Sequence, residues 1–210
     1  NRGEMPTARE RTSNVIKLGL VGRLVPVKRA DLFIDAIQLL NERFSGAVKG
    51  IIIGDGPLME ELKKQTHEKG LSELIEFKGF VTNPGQELTQ LDLLLMPSDH
   101  EGVPMVLLES LLAGLPIVAH NVGGIPEILD EGRCGLLVDD HSANGYADEA
   151  SVLINNPELI EKMTTAGFNH LSQQFSKDVN VPKYEALYRT VYYDPHRPIA
   201  SAFHSTRPQH

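Results

Sequence analysis

The chain has 210 residues, 41% apolar and 23% charged, the composition of an ordinary globular protein long enough to bury a core without staples. One cysteine, Cys134, excludes an internal disulfide framework and a cysteine-rich metal site. With 20 Lys and Arg against 28 Asp and Glu the net charge is −8, which argues against a nucleic-acid partner.

Residues 1–14 are polar, with Arg2, Arg9 and Arg11, and read as a lead-in rather than a signal peptide. The first residue is Asn1, so the chain is expected to be a piece of a longer protein. Periodicity begins at Val15. Val15 to Val21 reads as a strand and Gly22-Arg23-Leu24-Val25-Pro26 as a loop. Phe33, Ile37, Leu40 and Phe44 recur at helical spacing and predict a helix over 28–44. Val48 to Ile53 is a second strand. Gly54-Asp55-Gly56-Pro57 follows, and Pro57 suits the first turn of a helix reaching Lys69. A third strand, Leu74 to Phe77, precedes a short helix from Glu87 to Leu91 and a fourth strand from Leu93 to Met96. Pro104 to Ala113 reads as a helix stopped by Gly114 and Pro116. Ile117 to Ala119 and Leu136 to Val138 complete six strands. Helices are expected over 145–155, 157–174 and 179–193. From Asp194 on, Pro, His, Ser and Thr without periodicity read as a disordered tail. The expected division is a lead-in over 1–14, one folded domain over 15–193 and a tail over 194–210.

Strands alternating with helices predict an α/β fold: a Rossmann-like, doubly wound parallel sheet of about six strands with helices on both faces. The strands are apolar throughout, as strands covered on both sides should be. Ligands of such a sheet bind beyond the carboxyl ends of its strands. The loops at Gly22, Gly54, Gly79, Ser98 and Gly123 are therefore expected around one crevice.

Two of these loops carry candidate chemistry. In Glu101-Gly-Val-Pro-Met-Val-Leu-Leu-Glu109, Pro104 opens a helix, leaving the amides of Val103, Met105 and Val106 as donors for an oxygen-rich or anionic ligand. Gly102 lets a ligand approach the backbone. The helix, apolar on every side, is expected to be buried. Glu109 within it would then pair with an interior Arg, reach solvent along a narrow polar edge, or bind a ligand; with Glu101 at the helix entrance, ligand binding is favoured. Gly22-Arg23-Leu24-Val25-Pro26-Val27-Lys28 places two cations at the sheet's carboxyl edge. Arg suits bidentate phosphate recognition and Lys acts as a point charge, the alternative being two solvated charges. Arg29 reads as solvated and directed elsewhere on the helix. Phe80 could stack on a base, but core is the better reading for a Phe.

Other chemistries are weakly represented. Gly-x-Gly-x-x-Gly is missing from the first turn, against a nicotinamide enzyme, and no P-loop motif occurs. No Asp-x-Asp is present, so no metal is expected. Asp139-Asp140-His141 reads as a solvated turn. Ser98-Asp99-His100 holds triad residue types, but adjacent residues cannot form the relay. Cys134 reads as an inert small residue.

In order, Val21-Gly22-Arg23-Leu24 with Lys28, Ile53-Gly54-Asp55-Gly56-Pro57, Phe77-Lys78-Gly79-Phe80-Val81, Met96-Pro97-Ser98, Glu101 with Glu109, Gly114-Leu115-Pro116-Ile117-Val118-Ala119 and Gly123-Gly124-Ile125-Pro126-Glu127 resemble the C-terminal, donor-binding half of a retaining GT-B glycosyltransferase of family 4. The resemblance covers about Val15 to Tyr188. It implies a nucleoside diphosphate sugar donor, UDP- or GDP-linked, with no cofactor, and hexosyl transfer to an acceptor hydroxyl with retention. Arg23 and Lys28 would bind the diphosphate, and Glu109 the ribose. Glu101 and the backbone of Gly102, Val103, Pro104, Met105 and Val106 would hold sugar and phosphate. The backbone near Val81 would meet the base, with Gly22 part of the same cradle. It also implies as partners an N-terminal acceptor domain outside this sequence and an acceptor glycan, lipid carrier or small molecule. A cytoplasmic location follows from the donor's usual compartment and the cysteine usage, with membrane association possible through the missing domain. The same fold admits a sugar-nucleotide epimerase, a disaccharide phosphorylase or synthase, or a non-catalytic nucleotide-sugar-binding module. The chain departs from the family at Arg29, where a Gly is common, at Lys177 in Phe175-Ser176-Lys177, and at Asn83-Pro84-Gly85.

Overall fold

A computed structural model describes residues 14–174. Thirteen lead-in residues, the Phe175-Ser176-Lys177 segment, the helix expected over 179–193 and the tail lie outside the described residues. The first compact unit ends at Asn169, within the last helix; a second begins at His170.

Six strands form a single sheet: β1 (Ile16–Val21), β2 (Val48–Ile53), β3 (Ile75–Gly79), β4 (Leu93–Met96), β5 (Ile117–His120) and β6 (Leu136–Val138). Their order is β3-β2-β1-β4-β5-β6, and every neighbouring pair is parallel. Chain direction across the sheet reverses between β1 and β4, the position at which such sheets open a crevice. All four residues of β4 are buried, as are five of the six in β2, whose run is broken only by the exposed Lys49, so these are strands covered on both faces.

Among the described residues a 3-10 turn (Pro26–Lys28) and five helices connect the strands, α1 (Ala30–Arg43), α2 (Met59–Glu68), α3 (Pro84–Leu88), α4 (Met105–Leu112) and α5 (Ile125–Ile128), and two more follow β6, α6 (Ala143–Ile154) and α7 (Pro157–Gln174). On α1, Ala30, Phe33, Ile34, Ile37 and Leu40 form a buried stripe at helical spacing. Phe33 and Ile37 sit over Gly50 of β2, where a methyl group would come within 2.9 Å of Ile37. Complete burial of Phe33 is worth roughly 1.5–3 kcal/mol. Helix α6 turns Tyr146, Ala147, Ala150 and Leu153 inward, and its outer edge ties to α1 through Arg43 and Asp148 at 2.7 Å.

The halves of the sheet are clasped at the amino end of β1. The Lys17 amide donates to the Asp92 carboxylate at 2.8 Å, and the Asp92 amide donates to the Lys17 carbonyl at 2.8 Å. Above this clasp Leu91 fills the space beside Gly19, where a methyl group would come within 2.2 Å of it.

The structure corrects four local expectations. The helix predicted over 28–44 is broken at Arg29, which adopts a left-handed conformation (φ 49°, ψ 45°) between the 3-10 turn and α1. Helix α3 begins at Pro84 rather than Glu87, because proline suits a first helical position. Helix α6 begins at Ala143, where Ser142 caps it by accepting from the Gly145 amide at 3.2 Å. Helix α4 is not buried all round: Leu107, Ser110 and Leu111 face the core, whereas Met105 and Leu112 are 63% and 55% exposed. The single turn of α5 had no sequence signal beyond Pro126.

Candidate functional site

The loops at the carboxyl edge extend the sheet beyond its strands. Gly22 donates to the Ile53 carbonyl (2.9 Å), Leu24 to Asp55 (2.9 Å) and Gly54 to Gly79 (2.8 Å). Leu24 is fully buried and pins its loop. The approach is close: a methyl group on Gly54 would lie 1.9 Å from the Gly22 carbonyl oxygen, and Gly54 has φ +138°. Only glycine permits both.

A cavity of about 420 Å³ opens over these loops, floored by Gly22 and Gly54 and walled by Arg23, Asp55, Phe80, Val81 and Pro84. Its surface is mainly apolar. Phe80 is 77% exposed, so the core placement expected for it is wrong. Gly79, at φ +71°, ends the edge strand β3 and turns the chain there, leaving the ring outside the core. Arg23 is exposed, with no ion pair or side-chain hydrogen bond among the described residues.

Beside the cavity, at the β1–β4 crevice, Lys28 Nζ pairs with Glu101 Oε1 at 2.5 Å. Glu101 is only 9% exposed, so its charge is compensated inside the protein by the cation the sequence placed opposite it. Both loops are held. The Asp99 amide donates to the Val27 carbonyl at 2.8 Å, and the Gly124 amide to the Glu101 carbonyl at 3.2 Å. Gly123, at φ +60°, comes so near that a methyl group would lie 1.9 Å from the Glu101 carbonyl oxygen. Gly102 and Val103 are exposed ahead of Pro104, which caps α4 in an extended conformation (φ −71°, ψ 114°). The amides of Met105 and Val106 open α4 and have no intrahelical acceptor. Glu109 is half-buried on α4, and among the described residues its carboxylate has no hydrogen-bond or ion-pair partner. Among the described residues no interior Arg claims it, and its half-burial leaves it a path to solvent.

The expected site residues thus fall into two adjoining groups. Gly22, Arg23 and Val81 line the cavity. Lys28 and Glu101 form the ion pair, with Gly102, Val103, Pro104, Met105, Val106 and Glu109 along the loop and helix that follow. The segment from Gly22 to Lys28 joins the groups.

A third group was not anticipated. Arg29, read as solvated, binds Asp31 through two nitrogens (2.8 and 3.0 Å) and Asp99 at 3.1 Å. His141, read as part of a solvated turn, lies 2.8 Å from Asp99 Oδ1 through Nε2 and 2.6 Å from the Tyr146 hydroxyl through Nδ1. His120 stacks on it, with centroids 3.8 Å apart and rings 6° from parallel. The His120 Nδ1 also lies 2.8 Å from the Ser98 carbonyl. Hydrogen bonding to Asp31, then to Asp99, holds the Arg29 guanidinium above its ordinary pKa. Desolvation opposes ionisation of Asp99, but hydrogen bonds from His141 and Arg29 outweigh it and hold the carboxyl below its ordinary value. Desolvation pushes the fully buried Tyr146 phenol up. These residues span positions 29 to 146, and no local pattern announces them. The remaining acids of that turn, Asp139 and Asp140, are exposed as expected.

Among the described residues no cluster of His, Cys, Asp or Glu is arranged to hold a metal ion, and no helix is long and apolar enough to cross a membrane. The sequence profile of the family described as Glycosyl transferases group 1 matches residues 2–170. The chain is 31% identical over 194 residues to a GDP-mannose-dependent alpha-(1-6)-phosphatidylinositol monomannoside mannosyltransferase of Mycobacterium tuberculosis, covering 85% of this chain and 50% of that protein. Among solved structures it resembles Staphylococcus aureus TarM, crystallised as a variant with fondaparinux, alpha-GlcNAc-glycerol and UDP (TM-score 0.77, 25% identity, 89% of this chain and 38% of that one). It also resembles Anabaena HepE with UDP (TM-score 0.76, 26% identity, 84% of this chain and 49% of that one). The chain thus spans half or less of the length of these proteins.

Proposed function

We propose, from the premise that this chain belongs to the glycosyl transferases group 1 family, that its carboxyl-edge site binds a nucleoside diphosphate sugar and that the whole protein transfers the hexosyl group to an acceptor hydroxyl with retention. Fold and family make it a glycosyltransferase domain of the GT-B type; the donor, the stereochemistry and the residue roles are the proposal. The observation that carries it is the Lys28–Glu101 pair beside a cavity whose rim holds Arg23, exposed and without an ion-pair partner among the described residues.

Each role follows from position. The cavity is mainly apolar, with Phe80 exposed on its wall and Val81 beside it, a setting for a nucleobase. The Glu109 carboxylate, without a partner among the described residues, is an acceptor for ribose hydroxyls. Arg23, Lys28 and the amides that open α4 supply positive charge for the diphosphate. As the bond from the anomeric carbon to the phosphate oxygen breaks, negative charge grows on the departing diphosphate. Arg23 and Lys28 stabilise that charge from fixed positions. The acceptor oxygen attacks from the same face, and its proton leaves with the phosphate oxygen. Glu101, released from Lys28 by the incoming phosphate, orients the sugar hydroxyls. The base is uracil or guanine, and no cofactor or metal enters the scheme. Binding of UDP by TarM and HepE supports this reading. So does the GDP-mannose dependence of the mycobacterial relative.

The reading assigns the acceptor site to sequence beyond this chain, which spans half or less of its relatives. The 210 residues therefore bind donor without turning it over. Calorimetric titration with UDP, GDP and their sugars tests donor binding, and an acceptor glycosylation assay tests turnover. Failure of every nucleotide to bind overturns the site; robust transfer by this chain alone overturns the division of labour.

A further inference from the structure

Lys28 must hold its place for the proposed phosphate contact to exist, yet it ends a three-residue 3-10 turn that carries no buried residue. The next residue, Arg29, is left-handed at a position where a β-carbon is unfavourable. Such strain persists only where surrounding contacts fix it. Here those contacts come from four parts of the chain.

The guanidinium of Arg29 spans Asp31 in the first turn of α1 and Asp99 in the loop after β4. The same Asp99 oxygen is also held by His141, in the loop after β6, whose Nε2 lies 3.4 Å from the Arg29 guanidinium. A carboxylate accepts only, so the partners assign the proton of His141 to Nε2, which donates to Asp99. His141 Nδ1 then accepts from the Tyr146 hydroxyl, which is fully buried in α6. His120, at the end of β5, stacks on the His141 ring and donates from Nδ1 to the Ser98 carbonyl. The chain of contacts therefore runs from the buried α6 to the loop bearing Glu101 and the turn bearing Lys28. The Asp99 amide bonded to the Val27 carbonyl joins those two segments directly. No member of this chain faces the 420 Å³ cavity.

We infer that Arg29, Asp99 and His141 form a latch of positioning residues that sets Lys28 and Glu101 opposite one another for the donor. The inference rests on the proposed function, because it is the diphosphate that reads the placement of Lys28. Where glycine would adopt the left-handed turn freely, Arg29 adopts it under restraint, and the restraint is what fixes its neighbour.

The test is titration of UDP and GDP into the 210-residue chain and its variants, with thermal unfolding measured beside it. Arg29→Gly removes the latch and the strain together, so it is expected to keep or raise Tm while weakening nucleotide binding on the order of tenfold. His141→Phe keeps the stack on His120 but loses both hydrogen bonds, with the same expected loss of binding. His141→Gln can still donate to Asp99 and is expected to restore most of it. In a Lys28→Ala background, Arg29→Gly is expected to add nothing further, because its effect passes through Lys28. A general packing role would instead add in full. Unchanged binding by Arg29→Gly, or full additivity with Lys28→Ala, overturns the latch. Failure of the unmodified chain to bind either nucleotide overturns the donor reading itself, and the latch with it. Should His141→Phe fail to fold, Arg29→Gly and its cycle with Lys28→Ala decide.

Discussion

Substituting Gly123 by Ala isolates the cost of the close approach that seats Glu101. Gly123 has φ +60° and Gly70 has φ +69°, so alanine meets nearly the same backbone penalty at both, about 1–2 kcal/mol, less roughly 0.4–1 kcal/mol gained from a stiffer unfolded chain. Their surroundings differ. A methyl group on Gly70 meets nothing within 4 Å, whereas one on Gly123 would lie 1.9 Å from the Glu101 carbonyl oxygen, where contacts below 3.0 Å essentially never occur. The Glu101 backbone must therefore retreat by at least 1.1 Å, the difference between 3.0 and 1.9 Å. Overpacking of that kind costs about 1–3 kcal/mol. Gly70→Ala is thus expected to lose about 1 kcal/mol or less, and Gly123→Ala about 1–3 kcal/mol more. In a protein of this size the difference lowers Tm by about 2–4 °C per kcal/mol. The same displacement opens the 2.5 Å Lys28–Glu101 pair, so Gly123→Ala alone should also weaken UDP or GDP binding. Urea unfolding and titration calorimetry on both variants decide the matter. Equal stabilities, with nucleotide binding intact in Gly123→Ala, would refute the packing argument.

Three other outcomes are expected. Phe80→Ala should weaken UDP or GDP by about 1–3 kcal/mol through lost stacking while leaving inorganic pyrophosphate binding unchanged; equal loss for both ligands would put the ring elsewhere. Glu109→Ala should weaken nucleotide sugars but spare pyrophosphate, and Arg23→Ala should weaken pyrophosphate itself; two variants that fold and titrate like the parent would show the roles misassigned. Burial raises the Cys134 thiol from 9.0 to about 11. Between those values the unfolded chain ionises and the folded one does not. Stability is accordingly complete below pH 9 and falls as pH rises toward 11, by at most about 2–3 kcal/mol. Urea midpoints from pH 8 to 9.5, below the range in which the Tyr146 phenol of the unfolded chain ionises, should show this slope in the parent and lose it in Cys134→Ala.

The sheet was legible because strands covered on both faces must be apolar runs, and β1, β2, β4, β5 and β6 are such runs. The site loops were legible because glycines, prolines and charges at strand ends have few structural uses. Lys28 and Glu101, 73 positions apart, were each singled out on that ground, but their ion pair with one another was not expected. Three features were hidden for separate reasons. A left-handed Arg29 is an energetic exception, and the helical periodicity running through it masked the break. Phe80 has core composition but follows an edge strand ended by a positive-φ glycine. The His120–His141–Tyr146 group exists only after β5, β6 and α6 are assembled; in the chain its members sit among unremarkable loop residues. The apolar α4 carried a misleading signal, since part of its surface remains exposed beside the site.

The Lys17–Asp92 clasp bears on how the sheet is made. β1 pairs with β2, whose register partner for Ile16 is Val48, but its other edge waits for residues near Leu93. As the chain leaves the ribosome, residues 16–79 can build β1, β2 and β3 with the helices between them while one flank of β1 stays bare. Non-local pairing of this kind is slow and exposes unpaired strand edges in the interim. Asp92 offers the first reciprocal backbone and carboxylate contact to that flank, and Leu91 arrives with it to fill the hollow at Gly19. Closure of the bare flank of β1 thus waits on the step from Leu91 to Asp92, and β5 and β6 can extend the sheet only after β4 has seated there, so a translational pause before it would prolong the vulnerable half-sheet.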